Sequence, residues 1–254
     1  MYYYIYDTFI NQKKYENSLQ KIEQSLVDAG ISGKIFRLNV LKNLEDIANQ
    51  AENDNIKNII AVGNDQTMSK IANLLVGKNL ATGIIPIGEH NNFARSFGIN
   101  SSQEACNILS KRKIEQIDVG KINNQYFLLS LKSLTNDIIF DFGDYSISPK
   151  KNNKSCDIYN INPMGADFKS NPKDGIMEAV FSPGQQSWLA RFLSGKKNEI
   201  DNRSIFPIKK VLIRHSKKSV LLSIDGQKNI KTPVEVEVLK RKLKIIVGKE
   251  KIFN

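Results

Sequence analysis

The chain is poor in cysteine, histidine and tryptophan, with two, two and one residue among 254. Cys106 and Cys156 cannot build a disulfide framework and fit no metal motif, so a reduced, cytoplasmic compartment is the default expectation. His90 and His215 lie far apart in the sequence without the spacing of zinc ligands. Long apolar runs are also missing. Unbroken aliphatic stretches reach about five residues, as around Ile59–Val62, against the roughly 20 that a membrane-spanning helix needs. The N-terminus, Met1 to Asp7, lacks the basic start and long apolar segment of a secretory signal. Acidic residues are the scarcer charge: 26 Asp and Glu stand against 37 Lys and Arg, a net charge of +11.

That excess is confined to one half. Residues 1–120 hold 13 basic and 13 acidic residues, whereas residues 121–254 hold 24 and 13. Two regions with different roles are expected. A basic half suits anionic lipid, nucleic acid or an anionic small molecule, or is only a solvated surface. Around Lys209–Lys210, Arg214–Lys218 and Lys240–Lys244 the cations alternate with Val, Leu and Ile, as in strands with one wet face. No aromatic stacking motif accompanies them, which argues against nucleic acid.

Hydrophobic periodicity divides the chain similarly. In residues 1–120 strands are expected at Tyr2–Tyr6, Lys34–Asn39, Asn58–Val62 and Thr82–Ile87. Helices are expected over Tyr15–Ala29, Leu44–Asn53 and Met68–Leu75, with another starting near Asn91. Alternation of this kind predicts an α/β domain with a parallel sheet. The pattern changes near Asp118. Phe127–Ser133, Asp137–Phe142, Met177–Phe181, Val211–Arg214, Val220–Ile224, Val234–Val238 and Leu243–Val247 read as strands, and Lys150–Ser155 as a loop. One helix, Gln186–Leu193 with Trp188, interrupts them. Strands in series predict an antiparallel β-sandwich over residues 121–254.

Two strand ends carry polar loops. Gly63-Asn64-Asp65-Gln66-Thr67 precedes a helix, and a Gly-led polar turn there is either an N-capped structural turn or a phosphate site. Gly88-Glu89-His90-Asn91-Asn92 follows the strand ending Ile84-Ile85-Pro86-Ile87 and allows the same two readings. Farther on, Asp225-Gly226 is by itself a hairpin-turn signal.

Taken together the loops resemble the catalytic domain of diacylglycerol kinases and related lipid kinases. Gly63, Asp65 and Thr67 match that family's Gly-Gly-Asp-Gly-Thr motif. Gly83 to Pro86, Gly88, Asn91, Phe93, Ala94 and Arg95 match its Gly-Ile-Ile-Pro-Leu-Gly-Thr-x-Asn-Asp-Phe-Ala-Arg segment. Asp118-Val119-Gly120, Asp174-Gly175 and Ser223-Ile224-Asp225-Gly226-Gln227 resemble motifs of its second half. The resemblance implies an ATP-dependent lipid kinase using Mg²⁺. Gly63, Asp65, Thr67, Gly88 and Asn91 would surround the phosphates, and Asp225 would act as base on a lipid hydroxyl. It implies a lipid substrate or anionic membrane surface as partner, and a cytoplasmic protein peripheral to the membrane.

The departures fall on the same loops. Asn64 and Gln66 replace glycines, Glu89 replaces Thr, Asn92 replaces Asp, and Gln227 replaces Glu. The family's Asn-Pro-x-x-Gly turn after the first strand is here Asp7-Thr8-Phe9-Ile10-Asn11. The second domain is shortened between Phe142 and Tyr159. A positive φ at residue 66 would cost a side chain about 1–2 kcal/mol. These changes predict weakened activity and weak nucleotide binding. The alternative is a non-catalytic pseudokinase that binds nucleotide or anionic lipid.

Overall fold

The computed structural model describes the chain except for residues 39–42, 134, 136, 150–152, 163–165, 167, 184–202 and 254. The expected helix Gln186–Leu193, with Trp188, lies outside the described residues. Two compact units are present. One comprises Met1–Val119, Pro163–Lys169 and Lys240–Asn254, and the other Gly120–Asn162 and Ser170–Leu239.

The first unit alternates strand and helix: β1 (Tyr2–Tyr6), α1 (Glu16–Asp28), β2 (Lys34–Arg37), α2 (Leu44–Asn53), β3 (Asn58–Gly63), α3 (Asp65–Leu75), β4 (Ala81–Pro86), α4 (Asn92–Ser96) and α5 (Ser102–Lys111). The strands pair in parallel in the order β2-β1-β3-β4. Strands β1 and β3 are buried along their whole length, which explains their unbroken apolar sequence. Of the four tyrosines in β1, three find partners for their polar ends. Tyr2 Oη donates to Leu109 O at 2.9 Å, Tyr4 Oη to Ile31 O at 2.5 Å, and Tyr3 Oη to Asp54. On α1 the buried residues are Leu19, Ile22 and Leu26, spaced by three and four as the period requires. Asn43 caps α2 by accepting from Glu45 N at 3.1 Å.

The chain's last segment also belongs to this unit. In the long strand Val234–Ile246, Lys244 and Ile245 pair in parallel with Ala81 and Thr82 of β4. Beyond it, Ile252 N donates to Ser96 O at 3.1 Å and the Phe253 ring meets Phe97 edge-on at 6.4 Å. The short α4, one and a half turns long, is held from behind by these contacts.

The second unit is antiparallel. It takes the end of β5 (Ile114–Ile122) and continues through β6 (Gln125–Phe127), β7 (Ser130–Ser133), β8 (Ile138–Asp141), β9 (Ser146–Ile147), β10 (Asn153–Tyr159), β11 (Met177–Pro183), β12 (Ser204–Ile208), β13 (Lys210–His215), β14 (Leu221–Ile224), β15 (Lys228–Lys231) and the start of β16 (Val234–Ile246). One sheet runs β12-β11-β10-β7-β14-β15. The other sheet includes β16, β13, β8 and β9 in that order. Phe127, Leu131, Phe140, Ile158, Phe181, Ile213, Leu222 and Val236 pack between them in one core. The architecture is therefore a parallel α/β unit followed by an antiparallel β unit.

Three expectations differ in detail. Phe127–Ser133 is two strands, because the amides of Leu128 and Leu129 leave the ladder for the Asp225 carboxylate. Asn153–Ser155, expected in a loop, opens β10 and pairs with β11. Val234–Val238 and Leu243–Val247 merge into β16 across the polar Lys240-Arg241-Lys242, with Arg241 at a φ of 49°.

Candidate functional site

The site begins where β3 and β4 end, side by side at the carboxyl edge of the parallel sheet, where such sheets bind ligands. Ile87 N donates to Gly63 O at 2.9 Å and Asp65 N to His90 O at 2.9 Å, so the two loops are laced together. Gly63 is required by close approach: a Cβ there would stand 2.3 Å from Thr67 Oγ1. Gly88 has a φ of 80°, and a Cβ on it would meet the Phe9 ring at 3.1 Å. His90 takes a φ of 60° in the same turn.

Asp65 is 1% exposed and braces the loops. One carboxylate oxygen accepts from Asn92 N at 2.9 Å and Asn92 Nδ2 at 2.8 Å, the other from Phe93 N at 2.9 Å. Burial raises its pKa above the ordinary carboxylate value, and these donors oppose the rise. Asn91 Nδ2 donates to Gly88 O at 2.8 Å, while its Oδ1 is buried without a partner among the described residues.

The start of α3 is closed by its own side chains. Asn64 is the N-cap, and its Oδ1 accepts from Gln66 N at 3.1 Å and Thr67 N at 3.4 Å. Asn64 N in turn donates to Thr67 Oγ1 at 3.3 Å. The Thr67 hydroxyl donates to Asp7 Oδ2 at 2.7 Å, and both residues are buried. The amides that would face a phosphate at this helix end are thus satisfied internally. Gln66 shows no positive φ. It lies in the first turn of α3 and is exposed, so the strain expected at residue 66 is absent, because the helix starts one residue earlier.

The segment after β1 carries little periodicity in its sequence. It forms two short 3-10 turns, Thr8–Asn11 and Lys13–Tyr15. Phe9 and Tyr15 pack edge to face at 5.6 Å beside Gly88. The same segment lines a cavity of ≈ 420 Å³ with Ile10, Lys13, Glu16, Leu19, Glu23 and Arg37 among its walls. Arg37 lies 5.1 Å from the Tyr6 ring centre and pairs with Glu23 at 3.6 Å. Only the loss of the family's glycine in this turn hinted at a different path.

Asp225 belongs to the second unit and is 6% exposed. It opens the β14–β15 hairpin with a φ of 50°, followed by Gly226 at 70°. The Asp-Gly pair therefore makes a tight hairpin turn, closed by Gln227 N donating to Ile224 O at 2.8 Å. Its carboxylate accepts from Leu128 N at 2.9 Å, Leu129 N at 2.8 Å and Ser130 N at 2.9 Å. Three amides fix its orientation and tie the hairpin to β7.

Also in this unit, Asp174 accepts from Ile176 N at 2.9 Å in the Asp-Gly turn. Glu178 follows on β11 with Oε2 buried and without a partner among the described residues. Burial, then the charge of Asp174, pushes its pKa from 4.5 to about 7. The folded state therefore prefers neutral Glu178. Its contribution to stability is complete below about pH 4.5 and is lost as pH rises through about 7. Urea midpoints at pH 4.5, 6 and 7.5 should fall over this window, and Glu178→Gln should flatten part of the fall. Burial shifts Asp65 and Asp157 in the same direction.

Among the described residues no cluster of three or more acidic, His or Cys side chains could hold a metal ion, and no helix is long and apolar enough to cross a membrane.

Loops braced at the carboxyl edge of a parallel sheet, preceding an antiparallel β unit, define a two-part α/β plus β protein. Residues 2–122 match the diacylglycerol kinase catalytic domain. The diacylglycerol kinases of Staphylococcus aureus strains bovine RF122 / ET3-1 and MRSA252 are each 26% identical over 127 residues, 49% of this chain and 40% of theirs. This chain's match thus spans less than half the length of those curated relatives. A diacylglycerol kinase from Bacillus anthracis str. Sterne superposes with a TM-score of 0.75 at 19% identity, covering 98% of this chain and 97% of that one. A second structure from the same organism gives 0.78 at 18% identity, covering 98% and 96%. At such identities the structural likeness shows the fold. The match to the diacylglycerol kinase catalytic domain thus covers residues 2–122, a little under half of the chain.

Proposed function

We propose that this chain is a diacylglycerol kinase-like lipid kinase that moves the terminal phosphoryl group of ATP to a lipid hydroxyl. The observation that carries the reading is the lacing of Gly63–Thr67 to Gly88–Asn92 through Asp65, within a domain that matches this family. Phosphoryl transfer asks a protein for held phosphates, a divalent cation to spread charge and a carboxylate near the attacking oxygen.

The two loops meet at the carboxyl edge of the sheet, where a nucleotide's phosphates would sit. There the buried Asn91 Oδ1, an acceptor without a partner among the described residues, would suit a phosphate-bound cation. Gly63, Asp65, Thr67, Gly88 and Asn91 would surround the phosphates. Bound Mg²⁺ would supply charge neutralisation. Asp225, oriented by its three amides, would take the proton of the lipid hydroxyl. The cap provided by Asn64 makes nucleotide binding weak rather than absent.

The reading extends to a cytoplasmic protein at an anionic membrane surface. In the second unit Lys210 is paired with Glu235 and Arg214 with Asp141. Lys217, Lys218, Lys228 and Lys231 are exposed. Three or four such cations near acidic lipid contribute roughly 1 kcal/mol each, enough for weak, salt-sensitive attachment.

Labelled ATP with Mg²⁺ and extracted lipids in acidic vesicles should yield a labelled lipid phosphate, less with neutral vesicles or in half-molar salt. No labelled lipid under any of these conditions would refute the kinase reading.

A further inference from the structure

We infer that Asp7 sets the nucleotide affinity of the loop by withholding the Thr67 hydroxyl from the phosphates. The inference rests on the kinase reading of the site and adds a residue to it. Asp7 sits at the end of β1, 5% exposed, with its amide donating to Val62 O at 3.2 Å. Its carboxylate reaches across to α3 and accepts the Thr67 hydroxyl proton at 2.7 Å; its other oxygen accepts from Thr8 Oγ1 at 3.2 Å.

A threonine hydroxyl has one proton. While that proton goes to Asp7, Thr67 Oγ1 can only accept, and it does so from Asn64 N at 3.3 Å. A phosphate oxygen is also only an acceptor, so Thr67 has nothing to give it. The buried carboxylate further places a negative charge under a loop meant for anions, where screening by water is weak. A neutral amide at position 7 reverses both effects. Its Nδ2 can donate to Thr67 Oγ1, which frees the hydroxyl proton for a phosphate oxygen in competition with Asn64 Oδ1 at 3.4 Å, and the charge is gone. Asp7 is thus a positioning residue acting through Thr67. Its effect is strongest on phosphates that arrive without a divalent cation.

The test is calorimetric titration of the full chain with ADP, in EDTA and in Mg²⁺, for the parent, Asp7→Asn, Thr67→Val and the double variant. Asp7→Asn should bind ADP at least tenfold more tightly in EDTA and gain less in Mg²⁺. Thr67→Val alone should gain little, and the double variant should lose most of the gain. Thermal melts establish that each variant is folded, and Asp7→Ser serves as a second neutral replacement. If neither folded neutral variant binds ADP more tightly, or if the gain survives Thr67→Val, the inference is overturned. The lipid-transfer assay judges the kinase reading separately. Labelled lipid from the parent with no gain in Asp7→Asn would sink only the inference, and a gain with no labelled lipid from any variant would sink only the reading.

Discussion

Asn64→Gly is expected to tighten binding of ATP with Mg²⁺ by about ten- to a hundredfold. In the parent, Asn64 Oδ1 sits on the Gln66 and Thr67 amides at 3.1 and 3.4 Å, which are the donors a phosphate would use at the start of α3. A phosphate oxygen must first displace two hydrogen bonds, each worth about 0.5–1.5 kcal/mol net, and that sum sets the expected range. Glycine at an N-cap position costs only a few tenths of a kcal/mol relative to Asn, so the gain should not be masked by a lost helix. Gln66→Gly is the contrasting control. Gln66 is exposed and helical, so its replacement should cost about 1 kcal/mol of stability and leave affinity unchanged. Calorimetry reads both. Equal affinity of Asn64→Gly and parent would remove the cap as the cause of weak binding.

Asp225→Ala should destabilise the protein by about 3–5 kcal/mol, because it strands three amides that the carboxylate now satisfies. Alanine also lacks the tolerance of Asp and Asn for the left-handed backbone found here, at a φ of 50°. Loss of transfer in this variant would therefore say little about proton abstraction. Asp225→Asn separates the roles. Asn-Gly suits the same hairpin turn, and the amide oxygen can keep the Leu129 and Ser130 donors. Urea unfolding should place Asp225→Asn within about 2 kcal/mol of the parent. If its transfer rate then falls by a hundredfold or more, the base role gains support. A folded Asp225→Asn that transfers at the parental rate would leave Asp225 as an anchor of the hairpin alone.

Much of the first unit was legible because its signals are local. The run Asn58–Val62 reads as a buried strand from its β-branched residues, and Leu44–Asn53 reads as a helix with the bounds the structure has. The hairpin at Asp225-Gly226 was written in two residues. Other strands carry no such signal. Lys228–Lys231 is polar and mostly exposed, so no alternation marks it. Ser204–Ile208 contains a proline and a single buried residue. The break between β6 and β7 has no sequence mark either, since it depends on a carboxylate nearly a hundred residues away.

Within the candidate site, the residue types of the two loops pointed to one place at the sheet's carboxyl edge, because strand order and glycine positions are properties of the local chain. What fills that place is a matter of side-chain partners. Substitution of two glycines suggested crowding, yet only the packed structure separates Asn64, which caps the helix, from Gln66, which faces solvent. Likewise Asp7 and Thr67 are 60 residues apart and meet only because β1 and β3 are neighbours in the sheet. Local propensity and periodicity, which act over a few residues, determined the elements and the loops. The partner of each polar group was decided by tertiary structure, because burial drives most donors and acceptors to whatever the fold brings within 3 Å or so.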